Sequence, residues 1–325
     1  MGRFEEFART ICPRGAELRV FAIMATYSDA YEAMGAYLDE SADPKPRGFF
    51  AVGGIVGRGI ATFELDRAWD SLLHRPDIDI EYFKASDCEL GTGQFRKFVK
   101  KERNPTPEEY KKLQAISHEF ISLFSDERVR VVAYGIGIIQ SDFYDVIQDS
   151  YARSILGEDP FQLAYDLAIV QAAWIMKELE RRQLAEAEPW QKVRRDYISI
   201  LRDDHQRYAP LAQARYMNLK SKNPEADKYL GTHSIGDDKK ICTLQAADAA
   251  IYEVRRALHI AHKQKQEPLR GQFNIFRNAS KMATIHTVTK QNLLNTVKLH
   301  KPGEPFDLTD VMEAEYHESI QFDGV

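Results

Sequence analysis

The stretch AYLDESADPKPRGFFAVGGIV, residues 36–56, decides the fold. Ala36, Tyr37 and Leu38 read as a strand that runs straight into Asp39, Glu40 and Ser41. Residues 42–48 (ADPKPRG) carry two prolines, an Asp and a Gly, which is turn chemistry. Residues 49–56 read as a second strand, so the pair is expected to form an antiparallel hairpin. Gly53 and Gly54 interrupt that second strand and mark a bulge or a close backbone approach.

Outward from the hairpin, Phe63, Leu65, Ala68, Trp69, Leu72 and Leu73 have helical spacing over residues 61–73. Residues 78–83 (IDIEYF) alternate and are expected as a third strand. A helix is expected from about 106 to 126. Residues 129–139 (VRVVAYGIGII) form the strongest strand pattern, nearly all apolar, as in a strand covered on both faces. A long helix follows over 161–184, then a strand at 197–201 that ends at Arg202, Asp203, Asp204 and His205. A helix over 211–220, a loop over 223–238 and a helix over 241–262 complete the patterned part. The remainder is polar and basic, broken at 302–305 (PGEP). These elements predict an α/β fold, a mixed sheet flanked by helices, with helical insertions around 106–126 and 159–184.

Length and composition bound the function. The 325 residues are 29% charged and 44% hydrophobic, ordinary globular values. Net charge is −5, which argues against a uniformly basic coat for nucleic acid but leaves room for a local patch. Cys12, Cys88 and Cys242 are far apart, without zinc-finger spacing, and fit reduced cytoplasmic thiols. No apolar run approaches the roughly 18–20 residues of a membrane helix, and no secretory leader is read at the N-terminus. A cytoplasmic protein with no membrane partner is expected.

No nucleophile elbow, HExxH, P-loop or dinucleotide fingerprint is present. Carboxylates at the ends of apolar strands stand out instead. Asp39 follows Leu38, and Asp203 follows Leu201 and Arg202. Alternation puts Asp39 and Glu40 on opposite faces, and likewise Asp203 and Asp204. Gln245 and Asp248 share a helix face beside an alanine-rich stripe. Acids from separate strands and a helix suit Mg²⁺ or Mn²⁺, which would activate water for phosphodiester cleavage. Each has a plainer alternative: a strand-end Asp caps a turn, and Gln245 with Asp248 forms a structural network.

The order of these motifs resembles a widespread prokaryotic family known only as domain of unknown function 3800. The likeness rests on Leu38-Asp39-Glu40-Ser41, the strand with Gly53-Gly54, the Glu81-containing stretch 81–86, residues 198–204 ending in Asp, and Gln245-Ala246-Ala247-Asp248. It spans about residues 35–260. Ala42 stands where the family usually has Gly, which alters turn freedom and not the acids. The family in turn resembles the ribonuclease H-like superfamily in element order. The resemblance implies Asp39, Asp203 and Asp248 as metal ligands on Mg²⁺ or Mn²⁺, with Glu40 and Glu81 as further catalytic acids. It implies a contact of Gln245 with the metal's surroundings or the substrate. Because the motif set spans 39–248 without a linker, one ribonuclease H-like core (34–265) is expected, between an N-terminal extension (1–33) of helical character and a C-terminal extension (266–325).

Two basic stretches, 96–103 and 255–270, are candidate phosphate contacts or solvated helix faces, with Arg255 and Arg256 on the second. Lys84 is expected either to orient a phosphate or to pair with Glu81, and His205 to transfer a proton or sit in a turn. The expectation is a metal-dependent nuclease acting on DNA or RNA. The alternatives are a non-catalytic nucleic-acid or protein-binding module of the same fold, and a hydrolase of a small phosphorylated metabolite.

Overall fold

The computed structural model describes residues 33–43, 48–186, 197–262, 272, 273, 275 and 284–300. But for its last residue, the N-terminal extension expected over 1–33 lies outside them. Strand β1 (Met34–Ala42) pairs antiparallel with β2 (Phe49–Arg58), Asp39 opposite Gly53. Helix α1 (Gly59–Leu73) follows, then the short α2 (Ala85–Leu90). Helix α3 (Pro107–Ser122) starts on a capping box in which Thr106 and Glu109 satisfy each other's backbone N–H, with Pro107 in the first turn.

Strand β3 (Val131–Ile139) pairs antiparallel with β2. Helices α4 (Gln140–Val146), α5 (Ser150–Leu156) and the long α6 (Pro160–Glu186) lead to β4 (Ile198–Asp203), which lies parallel to β1. Helices α7 (Ala209–Lys222) and α8 (Pro224–Asp227) precede β5 (Leu230–Gly236), parallel to β4. Helix α9 (Cys242–His262) crosses back, β6 (Thr284–Val288) joins parallel to β3, and α10 (Lys290–Leu299) closes the described chain.

The sheet order is β5-β4-β1-β2-β3-β6, and β2 alone runs against the other five strands. This is the α/β mixed sheet flanked by helices that the sequence predicts, in keeping with a ribonuclease H-like type. One face packs under α6, where Leu38, Val52, Ile136 and Ile200 meet Ala164, Leu167 and Ala168. The other packs under α9, where Phe49, Ala51 and Ile139 meet Ile251, Val254 and Leu258. The interior strands β2 and β3 are buried along almost their whole length, as a doubly covered strand should be.

The glycine pair in β2 accommodates a close approach, and the register passes through it without a bulge. A Cβ on Gly54 would lie 2.0 Å from the Tyr37 carbonyl oxygen and 2.9 Å from the Ala247 Cβ of α9. The start of α9 is fixed from α1. Asp66 accepts hydrogen bonds from the backbone N–H groups of Cys242 and Thr243, at the positive end of the helix, although burial raises its pKa to about 7.

Four expectations change. Residues 78–83 are not a strand. Ile78 and Ile80 alternate with exposed neighbours but Phe83 is buried out of that phase, and the backbone is satisfied by a helix end and a side chain: Ile80 N–H donates to Leu73 O and Phe83 N–H to Gln245. Residues 223–238, expected as loop, contain α8 and β5. The stretch after 266 contributes β6 to the same sheet, and α10 packs on α4 and α5, so the sheet draws on more of the chain than 34–265. Helix α6 is the main cover of one face and no insertion. Among the described residues, no helix is long and apolar enough to cross a membrane.

Candidate carboxylate site at the strand ends

The pairing of β1 with β4 runs from Met34 opposite Ile198 to Leu38 opposite Arg202. Asp39 and Asp203 are the next residues in line, on the face opposite Leu38 and Arg202. Gly236, at the end of β5, pairs with Asp203. The chain then turns through Asp237 and Asp238 into α9, and Asp238 N–H donates to Asp203 Oδ1 at 3.2 Å. Helix α9 returns over β1 and β2 and brings Asp248 in its second turn. Four carboxylates from β1, β4, the β5–α9 turn and α9 thus reach one place.

Lys84, which flanks the start of α2, puts its ammonium among them. Its Nζ is 3.0 Å from Asp238 Oδ2, 3.4 Å from Asp248 Oδ1 and 3.8 Å from Asp39 Oδ2. Burial works against that ammonium, and the charges of Asp248, Asp39 and Asp238 outweigh it, holding the lysine protonated above its usual range. Asp39 is 3% exposed. Burial pushes its carboxyl well above the usual carboxylate range, against the pull of Lys84 and with the push of Asp248. Its Oδ1 accepts the Glu40 N–H at 2.8 Å, while its buried Oδ2 has no hydrogen-bond partner. Burial, and then the neighbouring Asp238, raise Asp203 to about 6.

Gln245 does the work of a structural network. Its Oε1 accepts from the Trp69 indole N–H at 3.0 Å and the Phe83 N–H at 2.9 Å, and its Nε2 donates to the Asp238 carbonyl at 2.9 Å. Asp248 Oδ2 accepts the Ala85 N–H at 2.8 Å. Helix α9 therefore pins the backbone on both sides of Lys84. Gln245→Leu leaves two buried donors without an acceptor. It is expected to cost about 3 kcal/mol in urea unfolding, at 1–3 kcal/mol per orphaned group; a cost below about 1 kcal/mol would contradict this role.

Glu40 points through the sheet to the α6 side. It pairs with Arg202 at 2.6 Å, and Arg202 is 1% exposed and lies over the Phe161 ring. The exposed His205 ring joins Glu40 at 3.8 Å and stacks on Tyr208, on that same side. Glu40→Gln strands a buried guanidinium and is expected to lower stability by about 3 kcal/mol. Chemical denaturation reads it, and an unchanged midpoint would rule out a structural role for the pair.

The other candidates lie apart. The Glu81 side chain is exposed, its N–H donating to Gln94, and Lys84 turns to the aspartates instead. Arg255 ties Ser41, near the end of β1, and Asp43, in the β1–β2 connection, to α9, and Arg256 pairs with Glu89. In the stretch 96–103, Arg96 pairs with Glu102 and Lys97 with Asp79.

Asp238 lies in the stretch 223–238, expected as a loop, and is not among the residues the sequence singles out. Its signal was there: an Asp pair after a short strand, as at Asp203-Asp204, but on a strand too polar to be recognised.

The donors are all carboxylate oxygens, the chemistry of a Mg²⁺ or Mn²⁺ site, and a buried carboxylate oxygen without a hydrogen bond suits a cation. Among the described residues, no three His, Cys, Asp or Glu side chains are placed to hold a metal ion as they stand. The acids are arranged around Lys84 instead. No family model matches the chain, and neither a curated protein nor a solved structure matches it.

Proposed function

We propose that the protein is a metal-dependent phosphodiester hydrolase acting on nucleic acid, with Asp39, Asp203 and Asp248 as metal ligands and Asp238 as a fourth acid. The reading rests on one observation: acids from four separate elements reach one place and outnumber the single ammonium between them. Packing needs no such cluster, and bringing like charges together costs energy. A Mg²⁺ or Mn²⁺ ion held there supplies a bound water of lowered pKa and a Lewis acid for a phosphoryl oxygen.

The chain's own residues hold and orient. The antiparallel β1–β2 ladder fixes Asp39 and the parallel β4–β5 ladder fixes Asp203, Gln245 fixes the Asp238 turn, and the Ala85 N–H orients Asp248. Tyr82, two residues before Lys84, lies 5.5 Å under the ammonium of Lys239, which follows Asp238. An aromatic face beside a cation suits a stacked base and its phosphate, which favours a nucleic acid over a small phosphorylated metabolite. The resemblance to the domain-of-unknown-function family 3800 points the same way.

The test is incubation of wild type with DNA and RNA oligonucleotides, and with mononucleotides, in Mn²⁺, in Mg²⁺ and in chelator. Oligonucleotide cleavage that needs the ion is expected. Cleavage of mononucleotides alone would transfer the site to small phosphate esters. No cleavage of any substrate in either ion would leave the acids as a structural cluster.

A further inference from the structure

Lys84 stands where a cation would stand if the site took one, and its surroundings separate what is fixed from what can move. Its backbone is held on both sides, through the Phe83 N–H on Gln245 and the Ala85 N–H on Asp248. Its side chain is 31% exposed, whereas those of Asp39, Asp248 and Asp238 are 3%, 7% and 14% exposed. The acids form the floor, and the lysine side chain is the one most open to solvent. Lysine carries its charge on a flexible four-carbon stem, so the ammonium can leave by rotation alone.

The ammonium also serves the acids incompletely. It hydrogen-bonds Asp238 at 3.0 Å but stays 3.8 Å from Asp39 Oδ2, a buried oxygen without a hydrogen bond. One ammonium faces the carboxyl groups of Asp39, Asp203, Asp238 and Asp248. A small dication carries twice the charge and binds carboxylate oxygens at roughly 2.0–2.6 Å.

We infer that Lys84 is a built-in counter-cation: it holds the cation position among Asp39, Asp238 and Asp248 in the metal-free protein and swings out when a divalent ion binds. This rests on the reading of the acids as a metal site. Lys84 then sets the site's affinity, because every binding event must displace it. The competition keeps the buried acids compensated while no ion is bound, and makes occupancy responsive to the divalent-ion concentration.

Mn²⁺ titration of wild type and Lys84→Met, followed by calorimetry or by the resonance of free Mn²⁺, tests the inference. Lys84→Met is expected to bind Mn²⁺ at least tenfold more tightly. In wild type, acylation of Lys84 by an amine-reactive ester, read by mass spectrometry, is expected to rise on saturation with Mg²⁺. This second measurement decides the matter if the variant does not fold. Mn²⁺ binding to wild type with no gain in Lys84→Met overturns the inference and leaves the metal site standing. So does saturation without a rise in Lys84 acylation where the variant does not fold. No Mn²⁺ binding to either protein overturns both.

Discussion

Asp39→Asn and Asp248→Asn are each expected to lower Mn²⁺-dependent cleavage by more than about 100-fold, because changes merely beside metal ligands already cost 10–100-fold. The substitutions are nearly isosteric, so the fold should survive them. Asn at 39 can still accept the Glu40 N–H, and Asn at 248 can still accept the Ala85 N–H. Burial raises the pKa of Asp39, so the folded state disfavours its ionised form. The neutral amide removes that penalty, and the unfolding midpoint of Asp39→Asn at pH 7 should be no lower than that of wild type. Activity lost without stability lost separates a chemical role from a structural one. Wild-type rates in both variants would remove the basis of the proposed function.

Gly54→Val should produce the largest loss of stability, about 5 kcal/mol in urea unfolding. Two costs combine. Gly54 has φ 155°, a conformation that β-branched side chains rarely adopt, and such backbone strain costs about 1–3 kcal/mol. Its Cβ would also lie 2.0 Å from the Tyr37 carbonyl oxygen and 2.9 Å from the Ala247 Cβ, and overpacking adds about 1–3 kcal/mol. The nearest obstacle is backbone, so no rotamer change relieves it. Strand β1 and helix α9 must part, and they carry Asp39 and Asp248. A loss below about 1 kcal/mol would mean that α9 is not seated on β2 as described.

What could be read from the sequence follows from how strongly each element is buried. β2 and β3 lie between two helical layers, and their unbroken apolar runs announced them. Asp39 and Asp203 were visible because an acid at the end of such a run has no packing reason to be there. Helix α9 was legible through its alanines, although the sequence left open whether Gln245 served chemistry or structure; its contacts with Trp69 and Phe83 place it in a network.

Edge elements were harder. β5 has only one neighbour in the sheet and reads Leu-Gly-Thr-His-Ser-Ile-Gly, without a buried stripe, and so Asp238 went unseen. β6 forms the other edge, in a stretch too polar to stand out. Residues 78–83 misled in the opposite sense. Ile78, Ile80 and Phe83 lie on the α1–α3 cluster, with the Ile80 and Phe83 N–H groups taken by a helix end and by Gln245, and a pattern of six residues does not by itself distinguish that from a ladder. No pattern in the sequence places Lys84 among the aspartates. That depends on the turn before α2 and on α9 meeting in space.

Asp39, Asp203, Asp238 and Asp248 are proposed as a divalent-metal site. Crystals soaked in Mn²⁺ and read for anomalous density test it most directly. A peak bonded to at least two of these carboxylates at roughly 2.0–2.6 Å is expected. Featureless density among the four acids at saturating Mn²⁺, with the Lys84 ammonium still between them, would contradict it.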